Sequence, residues 1–244
     1  LRALEIAGDF DRVTVADAAA LRLDSALTLE AWVRPRVNAG CGTLLDKGTS
    51  GYGLSLCDGR LRLRLGAQTV DGVTQLPQDR WSHVAAVIGS NEMRLFVGGT
   101  LDATAPRPPG GNGTADLSIG ATEATGTYFD GAIDTLRLWS VARTPAELFA
   151  NRFSLLGPET GLESQWPLDG TLVDELGGHD GESTQAPAFT ADGVLPRGLT
   201  LPSQAQPITV DGRCAPREYA GAERVVIDGP GGIAVALVIF QDNL

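Results

Sequence analysis

The chain has 244 residues, with 19 lysine and arginine residues against 30 aspartate and glutamate residues, and a formal net charge of −11. Because it also lacks a basic cluster, nucleic acid and anionic membrane surfaces are not expected as partners. No apolar run approaches the roughly 20 residues of a membrane span, so membrane insertion is not expected either. The 31 glycines and 14 prolines favour a turn-rich domain.

Short strands are predicted from the start of the chain. Residues 4–7 and 12–16 flank a glycine and aspartate turn, and residues 28–34 form a longer strand that Pro35 ends. Side chains alternate between the two faces of a strand, and one face of this third strand carries only apolar residues: Leu27, Leu29, Ala31 and Val33. This pattern predicts a strand that packs against a core.

A hairpin is predicted over residues 41–57, with its turn at 48–51. Cys41 and Cys57 lie at equal distances from that turn, so they fall opposite each other and within reach of a disulfide if the register holds. The alternative is two reduced core thiols. A disulfide would place the protein in an oxidising compartment, and Cys214 would then lack a partner in the chain.

Residues 60–65 alternate leucine with Arg60, Arg62 and Arg64. This arginine stripe predicts the outer face of a half-buried strand, either solvated or serving as a surface for an anionic ligand. Residues 81–87 are apolar on both faces and predict a central strand that pairs with residues 92–97.

The stretch TYFDGAIDTLRLWSVARTPAEL predicts a turn, a strand and a short helix. Strict alternation along residues 132–139 assigns Ile133, Thr135, Arg137 and Trp139 to one face and Asp134, Leu136, Leu138 and Ser140 to the other. Thr144, Pro145 and Glu147 have the spacing of a capping box at the start of a helix.

Three blocks resemble laminin G-like domains of the concanavalin A-like lectin and glucanase superfamily: LEIAGDFDRVTVAD, RWSHVAAVIGSNEMRLFVGGTLDA and the stretch above. The second block is the most specific, although Gly98 stands where the family usually has aspartate. The resemblance implies an all-β fold, a two-sheet antiparallel jelly-roll sandwich. GLESQWPLDG and the glycines after it resemble a segment at one end of laminin G repeats, and are expected to close the first domain.

The composition shifts towards loop residues after residue 187, which predicts a domain boundary. The expected organisation is a jelly-roll domain over 1–190, a linker over 191–206 and a partial β-module over 207–244. ITVDG and the residues after it resemble the start of a family 9-type carbohydrate-binding module. Because about 40 residues rarely fold alone, this segment is expected to belong to a longer polypeptide, to dock on the first domain or to pair with another chain.

The residues give little support to catalysis. His83 is expected to be a packed or edge histidine, and His179 to be solvent-exposed in a turn. The alternating carboxylates of jelly-roll glycosidases and the serine elbow of hydrolases are both missing from the sequence. The sequence therefore predicts a protein that is not an enzyme.

Calcium is the candidate cofactor, since carboxylate and carbonyl oxygens are the ligands that it prefers. The candidate ligands are Asp9 and Asp11 in the first turn, with Asp130 and Asp134 near the last strand. The alternative is that these aspartates cap turns and bind loops.

Tyr52 and Tyr128 lie in or beside predicted loops and are the candidate ligand-binding residues. The tryptophans are expected in the core rather than at a ligand: Trp32, Trp81, Trp139 and Trp166.

The resemblance to laminin G-like domains implies a non-catalytic extracellular module, secreted or at the cell surface, that recognises a glycan or a cell-surface protein in binding or adhesion. The alternative is a structural subunit of a surface layer, fibre or filament that self-associates through residues 207–244.

Overall fold

The structure is a computed structural model that describes residues 2–7, 12–23, 25–111, 113–122, 126–194, 225–228 and 234–237. The chain divides into two units, Leu1–Leu195 and Pro196–Leu244. The division falls just after the end that the sequence predicts for the first domain.

The described residues of the first unit form strands, a short 3-10 turn (Ala19–Leu21) and one helix, α1 (Pro145–Asn151). The first ten strands are β1 (Ala3–Ala7), β2 (Val13–Val15), β3 (Leu27–Pro35), β4 (Cys41–Asp46), β5 (Tyr52–Cys57), β6 (Arg60–Leu65), β7 (Gln68–Asp71), β8 (Ser82–Ile88), β9 (Glu92–Val97) and β10 (Thr100–Pro106). The next seven are β11 (Leu117–Ile119), β12 (Ala121–Thr122), β13 (Thr127–Tyr128), β14 (Asp130–Trp139), β15 (Leu162–Trp166), β16 (Gly181–Ser183) and β17 (Ala188–Thr190).

Two antiparallel sheets form a sandwich, as predicted. The back sheet has the order β10-β9-β8-β3-β14-β1-β17, and β15 also pairs with β14. The front sheet has the order β16-β2-β11-β4-β5-β6-β7. One apolar core includes the inward side chains of both sheets, for example Leu29 and Val84 from the back and Leu54 and Leu63 from the front. The all-β jelly-roll prediction is confirmed.

The alternation predicted for β3 is also confirmed. Its apolar face, Leu27 to Val33, belongs to the core, whereas Glu30 and Trp32 lie on the opposite face. The predicted capping box begins α1: Thr144 Oγ1 accepts from the Glu147 amide, and the Glu147 carboxylate accepts from the Thr144 amide. Buried Leu148 packs this helix against the back sheet beside Val87 and Phe96.

The strict alternation predicted for β14 is wrong. The register with β3 shifts between Asp134 and Arg137, and Thr135 has a positive φ of 44°. This bulge places two residues of β14 opposite one of β3 and reverses the facing of the strand beyond it. Ile133, Leu136 and Leu138 therefore all reach the core, while Arg137 lies on the face away from it.

The strands after α1 complete both sheets. β15 pairs with β14, β16 extends the front sheet beside β2, and β17 extends the back sheet beside β1. The segment expected to close the first domain thus lies within it. In the second unit, β18 (Val225–Asp228) pairs antiparallel with β19 (Ala234–Leu237). The family 9 resemblance is not confirmed, and Cys214 lies outside the described residues.

Within the described ranges, no helix combines the length and the apolar character needed to cross a lipid bilayer.

Candidate functional site

The outer face of the front sheet carries two rows of polar residues that run across the strands. The register aligns one row as Thr14, Ser118, Asp46, Gly53, Arg64 and Thr69. It aligns the neighbouring row as Thr43, Ser55, Arg62 and Asp71. The rows form because side chains on each strand alternate between the core and the outer face. On β6, for example, the residues that alternate with the arginines are leucines that point into the core.

An ion pair crosses β5 in the first row. The Asp46 carboxylate on β4 accepts from Arg64 Nη2 on β6 at 2.6 Å, above Gly53 on the strand between them. A Cβ atom on Gly53 would lie 2.8 Å from Asp46 Oδ2, so glycine leaves the space that the pair occupies. Arg64 also donates to the carbonyls of Gly48 (2.8 Å) and Thr49 (3.0 Å), which fixes the guanidinium against the β4–β5 turn.

A second ion pair lies at the edge of the sheet. Arg62 donates through Nε and Nη2 to the two carboxylate oxygens of Asp71, at 2.6 and 2.8 Å. This hydrogen bond lowers the pKa of Asp71 and raises that of Arg62. The two side chains are 40% and 53% exposed, so the pair faces solvent and is accessible to a ligand.

Residues of both rows line a groove of about 450 Å³: Thr43, Asp46, Ser55, Arg62, Arg64 and Thr69. Thr122 of β12 and Thr127 of β13 line it on one side, where Thr127 Oγ1 lies 2.8 Å from the buried Thr43 Oγ1. Gly66, Ala67 and Thr69 line it beyond the arginines. A second hollow of about 440 Å³ shares Asp46 and Thr122 with this groove and continues across β11 and β2. We call the first of these the front groove.

The predicted disulfide is present and lines the front groove. Cys41 and Cys57 face each other across β4 and β5, with their Cα atoms 4.0 Å apart and the two sulfurs bonded. The bond gives this part of the groove an uncharged surface next to Arg62, whose Nη1 lies 3.9 Å from Cys41 Sγ.

The two tyrosines that the sequence predicts as ligand-binding residues lie in different environments. Tyr52 is fully buried, and its hydroxyl donates to the Leu21 carbonyl at 2.8 Å, so its expected surface position is wrong. As the first residue of β5, it points inward opposite Leu65, and burial raises the pKa of its phenol. Tyr128 is half-buried in β13 and lines a separate cavity of about 110 Å³.

The tryptophan prediction holds for Trp32, Trp139 and Trp166, which are buried. Trp81 instead lies half-buried before β8, where its indole donates to the Asp192 carbonyl at 3.0 Å. Arg34 stacks on its ring.

The four calcium candidates do not form a described metal site. Asp9 and Asp11 lie outside the described residues, and Asp130 pairs with Arg36. Asp134 accepts from the Val194 amide at 2.6 Å and from Thr135 Oγ1 at 2.8 Å, and burial raises its pKa to about 6. The described ranges contain no group of three or more histidine, cysteine, aspartate or glutamate side chains that could hold a metal ion. Calcium therefore stays a prediction.

His83 is a packed histidine, as expected. It lies on the outer face of the back sheet, 3.3 Å from Glu30, and both side chains are buried. Burial lowers the pKa of His83, against the opposing effect of Glu30. The Glu30 carboxylate also accepts from Arg137 and Trp139, which makes this cluster part of the framework beneath α1 and the residues that follow it.

His179 is not the exposed residue that the sequence suggests. Its Nδ1 lies 2.8 Å from Ser164 Oγ and 3.3 Å from Asp174 Oδ2. A catalytic triad needs one ring nitrogen for the serine and the other for the carboxylate, whereas both contacts here use Nδ1. Asp174 also accepts backbone N–H groups from Gln165, Leu176, Gly177 and His179, so the arrangement holds a loop in place.

A laminin G model of the concanavalin A-like lectin/glucanases superfamily matches residues 7–149. No curated protein sequence gives a significant match.

Several solved structures share the fold. A proposed carbohydrate-binding protein from Bacteroides ovatus ATCC 8483 aligns over 78% of this chain and 59% of its own length, with 20% identity and a TM-score of 0.68. A heptameric SAP-like pentraxin from Limulus polyphemus aligns over 78% and 90%, with 14% identity and a TM-score of 0.51. The CBM40 of a Ruminococcus gnavus IT-sialidase aligns over 62% and 97%, with 20% identity and a TM-score of 0.50. At these identities the likeness shows the fold alone.

Proposed function

The chain belongs to the concanavalin A-like lectin/glucanases superfamily, and we propose that it is a non-catalytic carbohydrate-binding module whose site is the front groove. The observation that carries the proposal is the groove itself, which Ser55, Thr69 and Thr127 line together with Arg62 and Arg64, each of which pairs with a carboxylate. Sugar hydroxyls both donate and accept hydrogen bonds, and this surface offers both kinds of partner. Two of the solved structures with this fold are named for carbohydrate binding, which supports the assignment.

The chemistry of the groove favours binding over hydrolysis. A glycosidase needs one carboxylic acid of raised pKa and a second carboxylate beside the scissile bond. Asp71 and Asp46 each bind an arginine instead, and the pKa of Asp71 is lowered. Asp134, whose pKa is raised to about 6, is buried in the back sheet away from the groove.

The test is binding to an array of immobilised polysaccharides by the wild-type chain and by Ser55→Phe. Ser55 lies on the groove floor between Thr43 and Arg62, so a phenyl ring there fills the groove without entering the core. We expect a saccharide-specific signal that Ser55→Phe abolishes. Thr100→Phe on the exposed edge strand β10 is the matched control and should bind like the wild type. Equal binding by the wild type, Ser55→Phe and Thr100→Phe would show that the front groove is not the binding site.

An extracellular location is part of the proposal. The Cys41–Cys57 disulfide supports it, because such bonds persist in oxidising compartments. Calcium assistance remains a separate proposal, with Asp9, Asp11, Asp130 and Asp134 as its candidate ligands. Its test is the thermal midpoint in calcium against chelator, which only a bound ion would raise.

Assembly is the second candidate function. β18 and β19 pair with each other as a two-stranded sheet, and such a pair is marginally stable by itself and has edges that accept further strands. Light scattering of the full chain and of a chain lacking residues 207–244 tests this role. Large assemblies that disappear on truncation would support it, and two monomers would contradict it.

A further inference from the structure

We propose that the front groove selects uncharged, hydroxyl-rich glycans and discriminates against glycans that carry carboxylate or sulfate groups, because each arginine in the groove already holds a carboxylate of the protein. The inference rests on the proposed function and specifies its ligand class. Of the two interpretations of the arginine stripe, it favours a surface that does not attract anions.

Arg64 has little capacity left for an anion. Its Nη2 donates to Asp46 Oδ2 and the Gly48 carbonyl, and its Nη1 donates to the carbonyls of Thr49 and Gly66. Because the side chain is only 23% exposed and is held from four directions, a ligand cannot recruit it without breaking these bonds. Because Gly53 has no side chain, the Asp46 carboxylate can reach Arg64 across β5.

Arg62 is more exposed, but Asp71 occupies its bidentate face through Nε and Nη2. That face is the one that recognises carboxylate, sulfate or phosphate groups. An anionic sugar would have to displace Asp71 and would meet its negative charge on approach. A neutral sugar hydroxyl can donate to Asp71 and accept from Arg62 Nη1, so it can bind without breaking the ion pair.

The remaining lining supports the same conclusion. Ser55, Thr69 and Thr127 contribute neutral hydroxyls, while Ala67 and the Cys41–Cys57 disulfide contribute an uncharged surface. The two arginines and their two partners cancel in charge, and the chain as a whole carries −11. A net negative protein repels polyanions at long range and slows their association.

The test uses neutral polysaccharides (galactan, arabinan, xylan and mannan) and anionic ones (polygalacturonate, alginate and heparin) on one array. We expect the wild type to bind members of the neutral set and to lose this binding in Ser55→Phe. Asp71→Asn exposes the bidentate face of Arg62 and should raise binding to the anionic set by roughly threefold to tenfold, the net effect of one ordinary hydrogen bond. Added salt should reverse that gain.

Glu92→Gln is the matched control, since Glu92 also pairs with an arginine, Arg94, but on β9 of the back sheet. It removes the same charge and should leave the preference unchanged. Wild-type binding to anionic glycans that Ser55→Phe abolishes would overturn this inference and leave the proposed function intact. Anionic binding that rises equally in Asp71→Asn and Glu92→Gln would also overturn it, because net charge would then explain the gain. Binding to neither set would overturn both proposals.

Discussion

Glu30 on β3 and Arg137 on β14 form an ion pair 3.2 Å apart in which each side chain is only 1% exposed. Burial by itself would raise the pKa of Glu30, but the hydrogen bond to His83 and the charge of Arg137 lower it to about 2. Arg137 also donates to the carbonyls of Asn151 and Ser154, so the pair fastens the end of α1 and the following loop to the back sheet.

Glu30→Gln should destabilise the protein strongly, because it leaves Arg137 buried without a counter-charge. Breaking a buried pair from one side costs about 3–5 kcal/mol, which urea denaturation measures as a lower midpoint. Glu92→Gln removes one partner of a half-exposed pair and should cost less than about 1 kcal/mol. Equal losses in the two variants would show that the Glu30 pair contributes nothing beyond a surface contact.

Gly53→Ala should separate Asp46 from Arg64. The new methyl group would lie 2.8 Å from Asp46 Oδ2 and 3.1 Å from Arg64 Nη2, so the two side chains must move apart. We expect a loss of about 1–3 kcal/mol in the free energy of unfolding, typical of overpacking, together with weaker glycan binding. Gly157→Ala is the control, since a Cβ there meets nothing within 4 Å. Unchanged stability and binding in Gly53→Ala would contradict the arrangement described for the groove.

Asp134→Asn should change how stability depends on pH. The pKa of Asp134 is raised from 3.8 to about 6 in the folded state, so the folded protein binds a proton in a range where the unfolded chain does not. The wild type therefore gains stability relative to Asp134→Asn as the pH falls from 8 to 4, by on the order of 2–3 kcal/mol. Urea titrations of both proteins across this range measure it. A constant difference would show that Asp134 titrates normally.

Lys47, the only lysine in the chain, should resist acylation in the folded protein. Its side chain is fully buried, and its ammonium group donates to Asp17 Oδ1 and to the Ala115 carbonyl. Peptide mass spectrometry after acetic anhydride treatment should find Lys47 unmodified in buffer and modified in urea. Rapid modification in buffer would contradict its burial.

Local patterns in the sequence predict much of the fold. Period-two alternation identifies the core face of β3, the spacing of Thr144 and Glu147 identifies the capping box, and symmetry about one turn pairs Cys41 with Cys57. Each of these features depends on residues that are close in sequence. The β14 bulge escapes prediction because Thr135 is not a residue type that marks a positive φ.

The front groove was less predictable. The alternation of arginine and leucine indicates the outer face of β6, but Asp46 and Asp71 become its partners only through the register of neighbouring strands. The surface position expected for Tyr52 is wrong because a residue at the junction of turn and strand can face either way, and here the Leu21 carbonyl provides a buried partner for its hydroxyl. The role of Gly53 depends on the Asp46 and Arg64 side chains of the two neighbouring strands, so it too follows from the register.

The most direct test of the central claim is to map where a neutral oligosaccharide binds. Amide chemical shifts of the isotopically labelled chain would be followed by NMR while the saccharide selected on the array is added. We predict that the largest changes fall on β5, β6 and β7 around Ser55, Arg62 and Thr69. Changes confined to the back sheet, or to the cavity beside Tyr128, would contradict the front groove as the binding site.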